Sequence, residues 1–221
     1  MIWYVDIENE KTLADPRQTA YFDGVRAERT QVCGQTSGMK AESIFYRDVS
    51  LDLVRRKGVK AIAISGSTTD WAEYDFKTFE PLFDVIRSGM PTIGLCGGHQ
   101  LIGLMAGATC DAIRKLNPGE PDEGGFAPGW FKEVGFKPIQ VIRDDPLFAG
   151  LGKTPVFLES HYCEIKDTPP ELIVLASTAD VRVQAFKHRD LPIYGTQFHP
   201  EASNSDHPDG FTLLKNFFHM L

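Results

Sequence analysis

Two short apolar runs constrain this chain more than any other feature. Val59-Lys60-Ala61-Ile62-Ala63-Ile64 leads into Ser65-Gly66-Ser67, and Pro91-Thr92-Ile93-Gly94-Leu95 leads into Cys96-Gly97-Gly98-His99-Gln100. Each is too short for a buried helix and ends in turn residues, so each reads as a buried strand. Between them, Phe79, Leu82, Phe83 and Ile86 fall at helical spacing within Thr78–Arg87, and Gly89 ends the pattern. An apolar helix, Leu101–Met105, follows the second run. Strand, helix, strand and helix in alternation predict a parallel sheet with helices on both faces.

The flanking segments extend this α/β pattern. Ile2–Ile7 reads as a further buried strand. Asp15-Pro16 opens a helix, with Asp as N-cap and Pro at the first helical position, and this helix is expected to run to about Arg29. Gln31–Lys40, with its glycines and small polar residues, is expected to be a loop, and Ser43–Tyr46 a second strand. Ser50 caps a short helix that ends at Gly58. Residues 117–130 are rich in Gly, Pro and acidic groups and read as an exposed loop or inserted flap. Beyond them, Glu133–Phe136, Pro138–Ile142, Val156–Glu159, Leu172–Ala176, Val181–Phe186 and Ile193–Phe198 are strand-like runs. They lie too close together for a helix between each pair, so this half is expected to add antiparallel strands. Asp209 is placed to cap a last helix carrying Phe211, Leu214, Phe217 and Phe218. With no internal repeat and no long linker, residues 1–221 are expected to form a single domain.

Composition narrows the function classes. The chain has 221 residues and a formal net charge of −7, which gives no electrostatic reason for nonspecific nucleic-acid binding. The four cysteines (Cys33, Cys96, Cys110 and Cys163) form no CxxC pair, which argues against a zinc knuckle or dithiol redox site. Few cysteines in a chain of this size point to a reduced, cytoplasmic setting. The first residues lack the basic stretch and apolar core of a signal peptide, and no apolar run approaches the length of a membrane span. No metal or organic cofactor is indicated. A metal site at His161 and Cys163 lacks supporting ligand spacing.

Cys96 sits where a strand meets a helix, between Gly94 and the Gly97-Gly98 pair. A tight strand-to-helix turn strains the residue at its tip and requires small neighbours, as in a nucleophile elbow. Such a turn presents its side chain to the cleft beyond the strand ends, close to a helix N-terminus that favours thiolate. On spacing alone, a buried core cysteine fits Cys96 as well. His199 is the first residue past the last strand, where Pro200 stops the ladder. Glu201 lies two residues on, within reach of the second imidazole nitrogen, which makes nucleophile, base and orienter available together. Taken alone, a surface histidine before a turn fits His199 better. Of the other histidines, His99 reads as a packing residue, His188 as part of a polar turn, and His207 and His219 as solvent-exposed.

Gly94-Leu95-Cys96-Gly97-Gly98-His99-Gln100 resembles the G-x-C-x-G-x-Q motif of class I glutamine amidotransferases, and Gln197-Phe198-His199-Pro200-Glu201 resembles their Q-F-H-P-E motif. Ser65-Gly66-Ser67 falls where the family has its oxyanion strand. Asp145–Leu151 resembles its D-P-L-F-x-G-L segment, and Ser160-His161-Tyr162 falls at its Ser-His pair near bound glutamine. The resemblance runs from about Val59 to Glu201 and is weak over residues 8–58.

The resemblance implies a flavodoxin-like three-layer sandwich whose central sheet is mostly parallel, with the extra antiparallel strands in the C-terminal half. It also implies an enzyme in which Cys96 attacks the glutamine amide to give a γ-glutamyl thioester. His199 would move protons, Glu201 would orient His199, and the N–H groups of Gly66 and Gly97 would form the oxyanion hole. Gln100 and the Ser160-His161-Tyr162 backbone would hold the substrate. Ammonia would pass to an acceptor on a separate synthase subunit, with no metal or cofactor in this half-reaction.

Two departures stand out. The residue after the nucleophile is usually large in the family, and Gly97 is expected to widen the pocket or loosen the elbow. The oxyanion segment reads Ser-Gly-Ser-Thr-Thr-Asp, closer to stand-alone members that include γ-glutamyl peptidases. A stand-alone γ-glutamyl peptide or amide hydrolase is therefore an alternative, and a non-catalytic binding or regulatory protein of the same fold is a second. The 117–130 segment is expected either to cover the site or to recruit a partner.

Overall fold

The computed structural model describes residues 1–221. The chain begins with β1 (Ile2–Asp6), α1 (Glu10–Leu13), α2 (Pro16–Ser37), β2 (Ala41–Phe45), α3 (Leu51–Lys57), β3 (Ala61–Ile64), α4 (Glu80–Arg87), β4 (Thr92–Leu95) and α5 (Gly97–Met105). It continues with β5 (Cys110–Ala112), β6 (Glu133–Pro138), β7 (Gln140–Val141), β8 (Val156–His161), β9 (Cys163–Ile165), β10 (Leu172–Ser177), β11 (Ala185–His188), β12 (Ile193–Thr196) and α6 (Asp209–His219). Eight strands make one sheet in the order β2-β1-β3-β4-β12-β11-β10-β7. The pairs from β2 to β12 are parallel, and those from β12 to β7 are antiparallel. The sheet thus combines a parallel half with an antiparallel extension, as the strand spacing predicts. No helix is long and apolar enough to cross a membrane.

Alternation along β1 divides the core. Trp3 and Val5 pack with Ile62, Ile64, Leu82, Ile86 and Leu101 on one face, against α3, α4 and α5. Ile2 and Tyr4 pack with Ala63, Ile93, Leu95, Leu214 and Phe217 on the other, beneath α2 and α6. This is the three-layer arrangement of a sheet whose strands are buried on both sides.

Several boundaries differ from the sequence reading. The region 31–40 is helical as far as Ser37, and Gly38 ends α2 in the left-handed conformation (φ 65°). Almost no side chain of α2 is buried, so apolar periodicity carries no signal there. The small polar residues near its end are accommodated by hydroxyl bonds back to the helix: Thr36 to the Val32 carbonyl at 2.7 Å and Ser37 to that of Gly34 at 3.4 Å. Residues Phe76–Phe79 form a 3₁₀ turn before α4, because Pro81 fits only the first helical turn. Asp209 is the first residue of α6 rather than its cap. Pro208 holds the cap position, and the Asp209 carboxylate accepts the N–H of Val156 at 2.8 Å. Strand β6 pairs only with β8, as a ribbon outside the main sheet. His207 is not simply solvated: its ring stacks on Phe136 with centroids 4.1 Å apart.

Candidate active site

The parallel strands end in the same direction, and three of their C-terminal ends build the site. After β4 the chain turns into α5 at Cys96, whose backbone is strained (φ 51°, ψ −102°). The neighbouring glycines are dictated by contact. A Cβ on Gly94 would lie 2.4 Å from the Gly98 carbonyl oxygen, and one on Gly98 2.5 Å from that of Ile64. The Cys96 N–H donates to the Thr196 carbonyl on β12 at 2.8 Å, which ties the elbow to the strand that leads to His199.

After β12, Phe198 is buried and stacks on Phe157 with ring centroids 4.0 Å apart, and the His199 N–H donates to the Leu158 carbonyl at 2.8 Å. The Nδ1 of His199 meets Glu201 Oε1 at 2.7 Å. Burial alone would lower the His199 pKa, but the Glu201 carboxylate and Cys96 outweigh it and hold it well above the ordinary value. Burial alone would raise the Glu201 carboxyl, but the charges of His199 and Arg29 bring it below its usual range. Arg29, on α2, also donates to the Glu201 carbonyl at 2.8 Å. That helix lies outside the recognisable motifs, so this support is not readable from them.

After β3, Gly66 closes the group. A Cβ there would lie 3.2 Å from His199 Cε1 and 3.7 Å from Cys96 Cβ, so the three residues converge. The Gly66 carbonyl is held by the Ser65 hydroxyl at 2.8 Å. The N–H groups of Gly66, Ser67 and Gly97 have no protein acceptor and lie beside Cys96. Ser67 is a donor that the motifs do not single out.

Gly97 does not widen the pocket. A Cβ on it would lie 2.6 Å from the Ser67 nitrogen and 3.1 Å from the Gly66 carbonyl carbon, so the 66–67 backbone occupies the space a larger residue would need. Nor is the elbow loose: Gly98 N–H donates to the Ser65 carbonyl at 2.9 Å.

Cys96 stands between two cavities. One, of about 250 Å³, includes Gly97, Gln100, Trp71, Phe126, His161 and Tyr162 in its wall. The other, of about 240 Å³, includes Gly66, His199, Glu201 and the α2 residues Phe22, Val25 and Arg29. Ser160 borders both. Phe126 places the 117–130 segment in the wall of the first cavity.

The Gln100 side chain is already engaged. Its Nε2 donates to the Cys163 carbonyl at 3.2 Å and to Gln197 Oε1 at 3.0 Å, and its Oε1 accepts from Trp71 Nε1 at 2.8 Å. Gln197 in turn donates to Cys96 Sγ at 3.6 Å. The His161 side chain is buried. Its Nδ1 donates to the Cys163 carbonyl at 2.9 Å and its Nε2 faces the carboxylates of Glu133 and Glu159. Those carboxylates outweigh burial and raise the His161 pKa to about 10. His99 is a core residue, its ring tilted against Phe186 with centroids 4.7 Å apart, and burial lowers its pKa to about 3.

A cysteine on a strained elbow, a carboxylate-bound imidazole and free N–H donors, all at the ends of parallel strands in a three-layer α/β fold, are the parts that cysteine-nucleophile acyl transfer requires. The chain belongs to the class I glutamine amidotransferase family, which it matches over residues 33–221. Among curated proteins, it is 36% identical over 128 residues to one subunit of the glutamine-hydrolyzing GMP synthase from Pyrococcus abyssi. That match takes in 58% of each chain, so this chain covers well under two thirds of that relative's length. It is 28% identical over 198 residues to the glutamine-hydrolyzing GMP synthase of Caldicellulosiruptor saccharolyticus, covering 89% of this chain and 34% of that one. Among solved structures, a glutamine amidotransferase from Thermotoga maritima superposes with a TM-score of 0.66 at 11% identity, covering 100% of this chain and 97% of that one. A Thermoplasma acidophilum protein does so with a TM-score of 0.69 at 22% identity, covering 100% and 95%. These two likenesses establish the shared fold.

Proposed function

We propose that residues 1–221 act as one glutamine-hydrolysing domain that releases ammonia for an acceptor bound to a separate synthase subunit. The observation that carries this reading is the convergence of Cys96, the His199–Glu201 pair and the free N–H groups of Gly66, Ser67 and Gly97. The relatives' names support a GMP-forming synthase as the partner. A reduced cytoplasmic setting suits a thiol nucleophile.

In the proposed reaction, Cys96 passes its thiol proton to His199 and its sulfur attacks the side-chain carbonyl carbon of glutamine. The carbonyl electrons move onto oxygen, where the Gly97 N–H and that of Gly66 or Ser67 receive them, each such donor being worth about 2.7–4 kcal/mol. His199 delivers a proton to the amide nitrogen, the C–N bond breaks and ammonia leaves. His199 then takes a proton from water as its oxygen attacks the thioester carbon, the C–S bond breaks to return the Cys96 sulfur, and glutamate departs. Glu201 holds the imidazole by its other nitrogen throughout. The wall formed by Gln100 and the Ser160-His161-Tyr162 segment receives the glutamyl end. Gln100 also orders that wall, through Trp71 and Cys163.

One observation favours the second reading, a γ-glutamyl peptide or amide hydrolase. His199 borders the α2-side cavity, and its volume of about 240 Å³ exceeds what ammonia needs. The leaving group faces the proton donor, so this cavity is where a substituent on the amide nitrogen would sit. Glutamate release from glutamine and from γ-glutamyl dipeptides, each with Cys96→Ala as control, separates the two readings. Preference for glutamine supports the first and preference for dipeptides the second. Absence of both activities, with and without the synthase, favours the non-catalytic alternative.

A further inference from the structure

Beside the proposed substrate wall lies a buried cluster whose side chains the proposed reaction does not use. Glu133 on β6 and Glu159 and His161 on β8 bring a carboxylate oxygen each and the imidazole Nε2 to within 4.8 Å of one another, and all three residues are buried. His161 Nε2 lies 3.2 Å from Glu133 Oε2 and 3.1 Å from Glu159 Oε2. Neither contact is linear enough for a hydrogen bond, so the ring nitrogen points between the two oxygens. Glu159 is fully buried, and both its oxygens lack a hydrogen-bond partner. The Oε1 of Gln184, whose Nε2 donates to Glu133 Oε2 at 2.5 Å, is likewise buried and unpartnered.

We propose that Glu133, Glu159 and His161 bind a divalent first-row metal ion of the Zn²⁺ or Mn²⁺ class. The ligand separations fit: bonds of about 2.0–2.1 Å in tetrahedral geometry put ligand atoms about 3.3 Å apart. The surroundings fit as well. His161 donates its other nitrogen to the Cys163 carbonyl, and Glu133 accepts from Thr178 Oγ1 at 2.7 Å, which are the outer contacts that orient metal ligands. Charge fits too. Two carboxylates, a neutral imidazole and a divalent cation sum to zero, so the bound site would carry no net charge. The imidazole and carboxylate donors match Zn²⁺ or Mn²⁺ rather than a soft thiophilic ion. The bound ion would clamp β6 to the end of β8 and so hold the Ser160–Tyr162 backbone rigid.

The test is metal binding by the full chain. Protein stripped with a chelator is dialysed against Zn²⁺ and, separately, Mn²⁺, and metal is counted per chain alongside the thermal midpoint. The expected result is one ion per chain and a midpoint raised by several degrees, with retention at least tenfold lower in Glu159→Gln. X-ray absorption on the wild-type zinc form serves even where that variant fails to fold. Nitrogen and oxygen neighbours at about 2.0–2.1 Å support the site, and sulfur at about 2.3 Å overturns it by moving the ion to the cysteines. No retained metal, or equal retention by wild type and Glu159→Gln, also overturns it and leaves His161 as an imidazolium between two carboxylates.

Discussion

The carboxylate of Glu8, just beyond β1, grips Thr68 beside the candidate nucleophile, accepting its N–H at 2.8 Å and its hydroxyl at 2.9 Å. It also accepts from Ser67 Oγ at 3.2 Å, Thr69 Oγ1 at 2.8 Å and the Asn9 N–H at 2.8 Å. A second tie runs from Ser67 through Tyr74 to the Ile7 carbonyl, with distances of 2.6 and 2.8 Å. The end of β1 therefore fixes the loop that carries two candidate oxyanion donors. Replacing Glu8 by Ala leaves those donors mobile, and the cost falls on the transition state. Steady-state kinetics on Glu8→Ala are expected to show kcat lowered by roughly 10²-fold with KM changed far less.

Cys96 holds a positive φ that glycine adopts without cost. Cys96→Gly is expected to abolish turnover and to stabilise the chain by about 1 kcal/mol, with strain of this kind worth about 1–3 kcal/mol. Chemical denaturation of the two proteins checks this. An unchanged or lower midpoint for the variant would show that the elbow is not strained in solution.

Gly97 and Gly94 are tight for different reasons, and their alanine variants should differ. At Gly97 the clash is with the Ser67 nitrogen, in a loop held by side-chain hydrogen bonds rather than by the sheet, so Gly97→Ala is expected to fold with that donor displaced and to lose activity by about 10²-fold. At Gly94 the clash is with the backbone of α5, so Gly94→Ala is expected to cost more than about 2 kcal/mol of stability. Melting curves alongside turnover distinguish a displaced donor from a damaged core.

The His199–Glu201 pair makes stability depend on pH in a defined sense. The raised pKa of His199 means that its contribution is whole below about 6.5 and is lost as pH rises through the higher folded value. The lowered pKa of Glu201 means that its contribution is present above about 4.5 and is lost as pH falls through the lower folded value. Glu201→Gln removes the charge that supports both. The decline of stability on the alkaline side is therefore expected to become shallower in that variant, as read by denaturation midpoints across pH. The alkaline decline staying as steep would separate His199 from Glu201.

The Cys96 elbow and the His199-Pro200-Glu201 turn are legible in the sequence because each is local. Glycines flanking a cysteine, and a proline after a strand-end histidine, state their geometry within a few residues. The parallel half of the sheet is legible for the same reason, through short apolar runs ending in turns. The grip of Glu8 on residues 67–69 is not, because it joins segments that only the β1–β3 pairing brings together. The extension of α2 to Ser37 is hidden by its scarcity of buried side chains. Gly97 misleads in the other direction: a small residue reads as free space until the neighbouring backbone is seen to fill it. The Glu133–Glu159–His161 cluster depends on the β6–β8 register, which pairs Glu133 with His161 and has no counterpart in local sequence.

The most direct test of Cys96 as nucleophile is glutamate release from glutamine by the wild-type chain and by Cys96→Ala, each alone and with the candidate synthase partner. Turnover by the wild type is expected, with a loss of at least about 10³-fold in the variant, as when a covalent nucleophile is removed. Equal glutamate release by both proteins would contradict the proposed mechanism, because the amide would then be hydrolysed without Cys96.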